Sequence, residues 1–222
     1  MTESRYIVWD LGATKCAAAL VEVNAGQYTI LNSTTVKLAS FSSIAEMATS
    51  LHATLGVCPA DVSALCIAGA GQYNGRELIL DSNYPFPMTF EQLAQAQRWA
   101  PFTVVHDYTP IVCSTYVDQG DRGQLMTVTS GAVDPLGHRV AFGVGSGLGV
   151  KHAAMLSSGE LALGTNEMGH IGLGYPPCMS VLEKSFHEDF IDFLHSQGSS
   201  VTFQAVLSGS GLARLHQFIQ GS

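Results

Sequence analysis

An acid and an imidazole stand three residues apart around a glycine in Glu167-Met-Gly-His170. A carboxylate accepts hydrogen bonds from two hydroxyls, and a neutral imidazole donates from one edge and accepts at the other. Together they suit adjacent hydroxyls of a polyhydroxy ligand. The competing reading is a solvated pair in a surface turn. Against it, the segment from Glu167 to Gly174 carries few charges, and Ile171 and Leu173 are apolar. That pattern predicts partly buried polar groups in need of partners. Metal ligation is disfavoured, because the 8 histidines include no His-x-x-x-His pair and no Glu-x-x-His on a credible helix.

Two glycine-bearing turns add a second kind of chemistry. Asp10-Leu-Gly-Ala-Thr-Lys15 follows the apolar run Tyr6–Trp9. One reading is a plain β-hairpin. The other is a phosphate cradle, in which N–H groups around Gly12, Ala13, Thr14 and Lys15 converge on an anion. In that reading the Thr14 hydroxyl adds a donor, and Asp10 is placed to hold a hydrated Mg²⁺. Gly143-Val-Gly-Ser-Gly-Leu-Gly149 alternates glycine with other residues and completes neither a Rossmann fingerprint nor a Walker loop. Either Gly145, Ser146 and Gly147 admit a close backbone approach by a ligand, or the stretch is a hinge between strands. His106-Asp107 ends the apolar run Phe102–Val105, and carboxyl ends of strands are where open α/β sheets bind ligands. Asp107 reads either as the N-cap of the next helix or as a general base that accepts a substrate hydroxyl proton.

These residues need a frame, and the chain is long enough to build one. It has 222 residues, 46% hydrophobic and 13% charged. The net charge is −8 and the 10 Lys and Arg are scattered, so there is no electrostatic footprint for nucleic acid. The 5 cysteines form no Cys-x-x-Cys and mostly lie in apolar runs, as reduced thiols of a cytoplasmic protein do. No window reaches the roughly 18 apolar residues of a membrane span, and the N-terminus lacks a signal-peptide core.

The elements that follow mix strands and helices. Strands are expected at 6–9, 16–23, 27–32, 62–68, 102–105, 125–129, 139–142 and 148–155. Helices are expected at 43–55 (Ser43 and Glu46 as a capping box, Gly56 as the stop), at 89–99 with capping-box spacing, at 110–116, at 180–195 from a third capping box, and at 211–218. In the fourth of these, Val181, Leu182, Phe186, Phe190, Ile191, Phe193 and Leu194 are expected to share one broad apolar face. The polar stretch 117–124 marks a boundary between lobes 1–117 and 118–222.

Taken in order, the motifs resemble the bacterial glucokinase family of the sugar kinase/heat-shock protein 70/actin superfamily. Val8–Lys15 is similar to its first phosphate loop, and Ile67-Ala-Gly69 with Asp81-Ser-Asn83 to the next block. Val105–Thr109 resembles the segment with the catalytic aspartate, and Ala141–Val150 the second phosphate loop. Asn166–His170 is similar to the sugar-binding Gly-Glu-Gly-Gly-His, and Val206–Leu212 to Leu-Ser-Gly-Pro-Gly-Leu. The chain departs from the pattern where His106 replaces an asparagine, Gln204 a glutamate, Trp9 a glycine, and Ala13 and Lys15 the second Gly and the Asn of Gly-Gly-Thr-Asn.

The resemblance implies an α/β, actin-like (ribonuclease H-like) two-lobe sugar kinase fold. It implies transfer of the ATP γ-phosphoryl group to the 6-hydroxyl of glucose or a related hexose, the first step of glycolysis. Asp107 would be the base, with Mg²⁺ bridging the phosphates. Asn83, His106, Glu167, His170 and Gln204 would hold the sugar, and the two glycine loops the phosphates. Family chains continue past the Leu-Ser-Gly block into an adenosine loop and a final helix, whereas this sequence ends at Ser222. The second lobe is therefore expected to be incomplete. The apolar surface so exposed would be covered by a partner or by a second copy in a homodimer. His106, Gln204 and that shortness favour an alternative, a sugar-binding module without catalysis. An actin-like ATPase without sugar fits the Glu167–His170 cluster less well.

Overall fold

Ile7, Trp9 and Leu11 alternate with Val8 and Asp10, and a strand with that pattern buries one face. They form β1 (Ser4–Leu11), whose buried side opens the core. The structure, a computed structural model of the chain, describes residues 4–79, 84–116, 134–145, 147–164, 168–174 and 178–221. The expected strand 125–129 and boundary 117–124 lie outside those residues. The chain divides into two compact units, Met1–Pro110 and Ile111–Ser222.

In the first unit, β1 turns into β2 (Lys15–Asn24) and β3 (Gln27–Lys37), an antiparallel meander. After helix α1 (Ile44–Leu55) the chain enters β4 (Ala64–Gly69), parallel to β1. A small antiparallel sheet follows, made of β5 (Gln72–Tyr73), β6 (Glu77–Ile79) and β7 (Met88–Thr89). Helix α2 (Phe90–Gln97) leads to β8 (Phe102–His106), parallel to β4. The main sheet thus has the order β3-β2-β1-β4-β8. Its core joins Ile7, Trp9 and Leu11 to Leu65 and Ile67 and to Met47, Leu51 and Leu55 of α1. A β-carbon on Gly69 would collide with the Leu78 side chain, so glycine lets β6 cross the carboxyl end of β4.

Helix α1 begins on Ser43, whose Oγ accepts from the Glu46 N–H at 3.2 Å, and stops at Gly56 with φ of 71°. The reciprocal arm differs from expectation: the Glu46 carboxylate takes the Ser42 N–H and hydroxyl, each at 2.8 Å. The box expected at Thr89 does not form either; Thr89 makes no side-chain cap, and α2 ends at Arg98 in the left-handed region. Helix α3 (Tyr108–Ser114) starts two residues earlier than expected.

The second unit holds the antiparallel sheet β11-β10-β9, formed by β9 (Arg139–Val144), β10 (Leu148–Met155) and β11 (Leu161–Leu163). Helix α4 (Val181–Ser196) opens on a complete capping box, Ser180 with Glu183. Short α5 (Phe203–Val206) and then α6 (Gly209–Gly221) complete the unit. Phe218 of α6 packs on Phe186, Phe190 and Phe193 of α4, with ring centroids 5.1–5.4 Å apart. The single apolar face expected for α4 is buried only toward its C-terminal half. Val181 and Leu182 are 86% and 84% exposed, because Phe218 meets the helix beyond its first turn.

Candidate functional site

Asp107 follows the last residue of β8, and its N–H donates to the Gly69 carbonyl at the end of β4 at 3.1 Å. Two parallel strands therefore fix its backbone. Its carboxylate does not cap α3. The N–H of Tyr108 donates instead to His106 Nδ1 at 3.2 Å. That same Nδ1 lies 2.9 Å from Asp107 Oδ1, which is buried and has no hydrogen-bond partner among the described residues. A nitrogen that accepts from Tyr108 carries no proton for Asp107, so two acceptors face each other. The contact becomes an ion pair only when Nδ1 is protonated. A buried, unsatisfied carboxylate oxygen is costly unless a donor arrives, and a ligand hydroxyl is such a donor.

The surroundings report the same charge. Burial, then Asp107 and Cys16, raise the Tyr84 hydroxyl well above the ordinary tyrosine range. Burial and then Asp107 raise Tyr108 as well. Neither tyrosine stood out in the sequence, although Tyr84 adjoins the Asp81–Asn83 block. Asn83 itself lies outside the described residues. Cys16, at the start of β2, is pushed up to about 12 by burial and then by Asp10, which makes it an inert core thiol.

The first turn is a hairpin and an open donor array at once. Leu11 pairs with Cys16, and Gly12 N–H donates to the Lys15 carbonyl at 3.0 Å. Thr14 carbonyl accepts from Leu38 N–H at 3.0 Å, which ties the turn to the core. Among the described residues no hydrogen bond uses the Ala13 or Thr14 N–H, or the side chains of Asp10, Thr14 or Lys15. Unspent donors beside one exposed carboxylate fit a phosphate with a hydrated cation. No group of three metal-ligating side chains occurs among the described residues, so such an ion would depend on the phosphates for most of its ligands.

In the second unit, Gly143 and Gly149 pair across β9 and β10, leaving Gly145–Gly147 as the turn. Ser146 lies outside the described residues. Gly145 N–H bonds to Gly147 carbonyl at 2.9 Å, and Gly145 carbonyl accepts from Gly209 N–H at 2.8 Å. The Leu-Ser-Gly block thus braces this turn, with buried Ser208 accepting from Gly211 N–H at 3.0 Å. Gln204 meets the turn from α5: its Oε1 accepts from Leu148 N–H at 3.2 Å. The short 3₁₀ turn Met168–His170 packs here too, since a β-carbon on Gly169 would run into the Leu148 carbonyl. Its position is held by Phe203 N–H to Ile171 carbonyl at 3.0 Å and Leu173 N–H to Val201 carbonyl at 3.1 Å. Glu167 lies outside the described residues. His170 and Ile171 are exposed, contrary to the burial expected for this segment. Of its glycines, Gly169 serves close backbone approach.

A family model described as Glucokinase matches residues 7–222. The chain belongs to the glucokinase family. It is 24% identical over 218 residues to a glucokinase of Marinobacter nauticus, covering 98% of this chain and 63% of that protein. A glucokinase of Saccharophagus degradans is likewise 24% identical, over 96% of this chain and 62% of its own length. The chain thus spans less than two thirds of these relatives. The crystal structure of a glucokinase from an Antarctic psychrotroph superposes with a TM-score of 0.76 at 21% identity, covering 98% of this chain and 65% of that one. The fold is therefore the α/β, actin-like fold of glucokinase-type sugar kinases. Among the described residues no helix is long and apolar enough to cross a membrane.

Proposed function

We propose that this chain works in ATP-dependent phosphorylation of glucose or a related hexose at its 6-hydroxyl. The observation that carries the reading is the buried Asp107 Oδ1 at the end of β8, which has no hydrogen-bond partner among the described residues and so can take a donor. A glucokinase of Balamuthia mandrillaris, solved in complex with glucose, shares the fold at a TM-score of 0.64 and 17% identity, over 99% of this chain and 63% of that one. That likeness supports glucose as the first sugar to test.

In this reading Asp107 is the base, Asn83, His106, Glu167, His170 and Gln204 hold the sugar hydroxyls, and Asp10–Lys15 and Gly145–Gly147 hold the phosphates. Mg²⁺, when bound, neutralises phosphate charge and aligns the transferring group. Asp107 accepts the hydroxyl proton as that oxygen attacks phosphorus, a role that needs a carboxylate held within hydrogen-bond reach. The backbone tether to Gly69 keeps it there. Most of the remaining rate comes from positioning and fixed donors.

The test is sugar-dependent ADP release by the purified chain with glucose and Mg-ATP. ADP formed only when glucose is present, with sugar phosphate as co-product, is the expected result. Calorimetry separates the non-catalytic module: glucose heat without ATP heat or turnover would favour it.

A further inference from the structure

Gln204 carries one amide with two different ends, and the structure commits one of them. Its Oε1 accepts from Leu148 N–H at 3.2 Å. A backbone N–H only donates, so the oxygen must face it, and the assignment of the amide follows from its partner. The contact is tight on two sides. A β-carbon on Gly147 would lie 3.0 Å from Oε1, and one on Gly169 would lie 3.3 Å from it. The oxygen is thereby wedged between the Gly145–Gly147 turn and the Met168–His170 turn. The Nε2 end is uncommitted: no hydrogen bond joins it to a described residue. Gln204 also borders a polar cavity of about 280 Å³, with Ser199, Ser200, Ser210 and Arg214 among its lining. That is near the lower end of small-molecule cavities, roughly 300 Å³.

We propose that Gln204 is a specificity-determining residue that meets the sugar only as a hydrogen-bond donor, because its carbonyl oxygen accepts from Leu148 N–H and is hemmed in by the turns at Gly147 and Gly169. The proposal rests on the sugar reading above. A glutamate at this place has a second oxygen that only accepts, so it selects a sugar hydroxyl that donates. The amide of Gln204 instead selects an oxygen that accepts. The substrate class follows: hexoses whose oxygen at this one position needs no hydrogen, including those substituted there. The same commitment makes Gln204 a positioning residue for the loop, since losing Oε1 frees the Leu148 N–H.

The test is calorimetric titration of the 222-residue chain with glucose and with each of its monofluoro-deoxy analogues. Fluorine is close to hydroxyl in size, accepts weakly and cannot donate. Parent, Gln204→Glu and Gln204→Leu are compared. At one ring position the parent is expected to lose less than about 5-fold in affinity, while Gln204→Glu loses at least about 10-fold more there than the parent does. Amide hydrogen exchange at Leu148 is read in parallel: it is expected to quicken in Gln204→Leu and stay slow in Gln204→Glu, with similar melting temperatures. Glucose binding with the same fluorine pattern in parent and Gln204→Glu overturns the proposal alone. No glucose binding by the parent overturns the sugar reading, and the specificity claim with it. Unchanged Leu148 exchange in Gln204→Leu overturns the loop commitment from which the claim is drawn.

Discussion

Two imidazoles in the first unit answer to opposite physical demands. His106 sits at a strand end with Asp107 Oδ1 only 2.9 Å away, where its protonation state decides whether the carboxylate is paired or open. His52 lies on α1 inside an aromatic group, 5.7 Å from Trp9 and 5.5 Å from Trp99. Its Nε2 and the Trp9 indole N–H are both buried without hydrogen-bond partners among the described residues. Burial pushes His52 down to about 4 from 6.5. The folded chain therefore resists a proton that the unfolded chain accepts. Stability contributed by neutral His52 is complete above pH 6.5 and is lost as pH falls from there toward 4. Urea midpoints should drop steadily between pH 7 and pH 5, and His52→Phe should flatten that slope while keeping the ring cluster. An unchanged slope would remove His52 as its source. The sugar-holding role proposed for His106 comes from the resemblance alone; its contact with Asp107 needs the geometry, because a histidine before an aspartate can point anywhere.

At the scale of elements, patterning predicted most strands and all the principal helices. The β1 alternation, the Ser180–Glu183 box and the Gly56 stop are local, so local sequence carries them. Where the decision is tertiary, local sequence misleads or says nothing. Thr89 has capping-box spacing, but the chain arrives from β7 with ψ of 84°, which takes the side chain away from the helix N–H groups. The exposed start of α4 and the bracing of Gly145 by Gly209 likewise depend on distant partners. Two predictions belong here. Ser180→Ala should cost about 1 kcal/mol in chemical denaturation, since it removes a complete capping box. Gly169→Ala should cost about 1–3 kcal/mol, since its methyl meets the Leu148 carbonyl and forces the two turns apart. A neutral Gly169→Ala would mean that the turns do not touch.

For the whole molecule, family and fold were readable because six ordered motifs span the chain, and the glucokinase match over residues 7–222 agrees with them. Part of the motif set, Asn83, Ser146 and Glu167, lies outside the described residues. One consequence for behaviour in solution is open to test. Val140, Phe142 and Val144 alternate along β9, an edge strand among the described residues, and are 62%, 72% and 54% exposed. Exposed apolar rows on an edge strand promote association. Phe142→Ser should raise the solubility limit and change stability by no more than about 0.5 kcal/mol. The most direct test of the central claim is steady-state kinetics of Asp107→Ala with glucose and Mg-ATP. If Asp107 is the base, kcat falls by about 10²–10⁴-fold relative to the parent, with a far smaller change in KM for either substrate. A kcat near that of the parent would exclude Asp107 as the base.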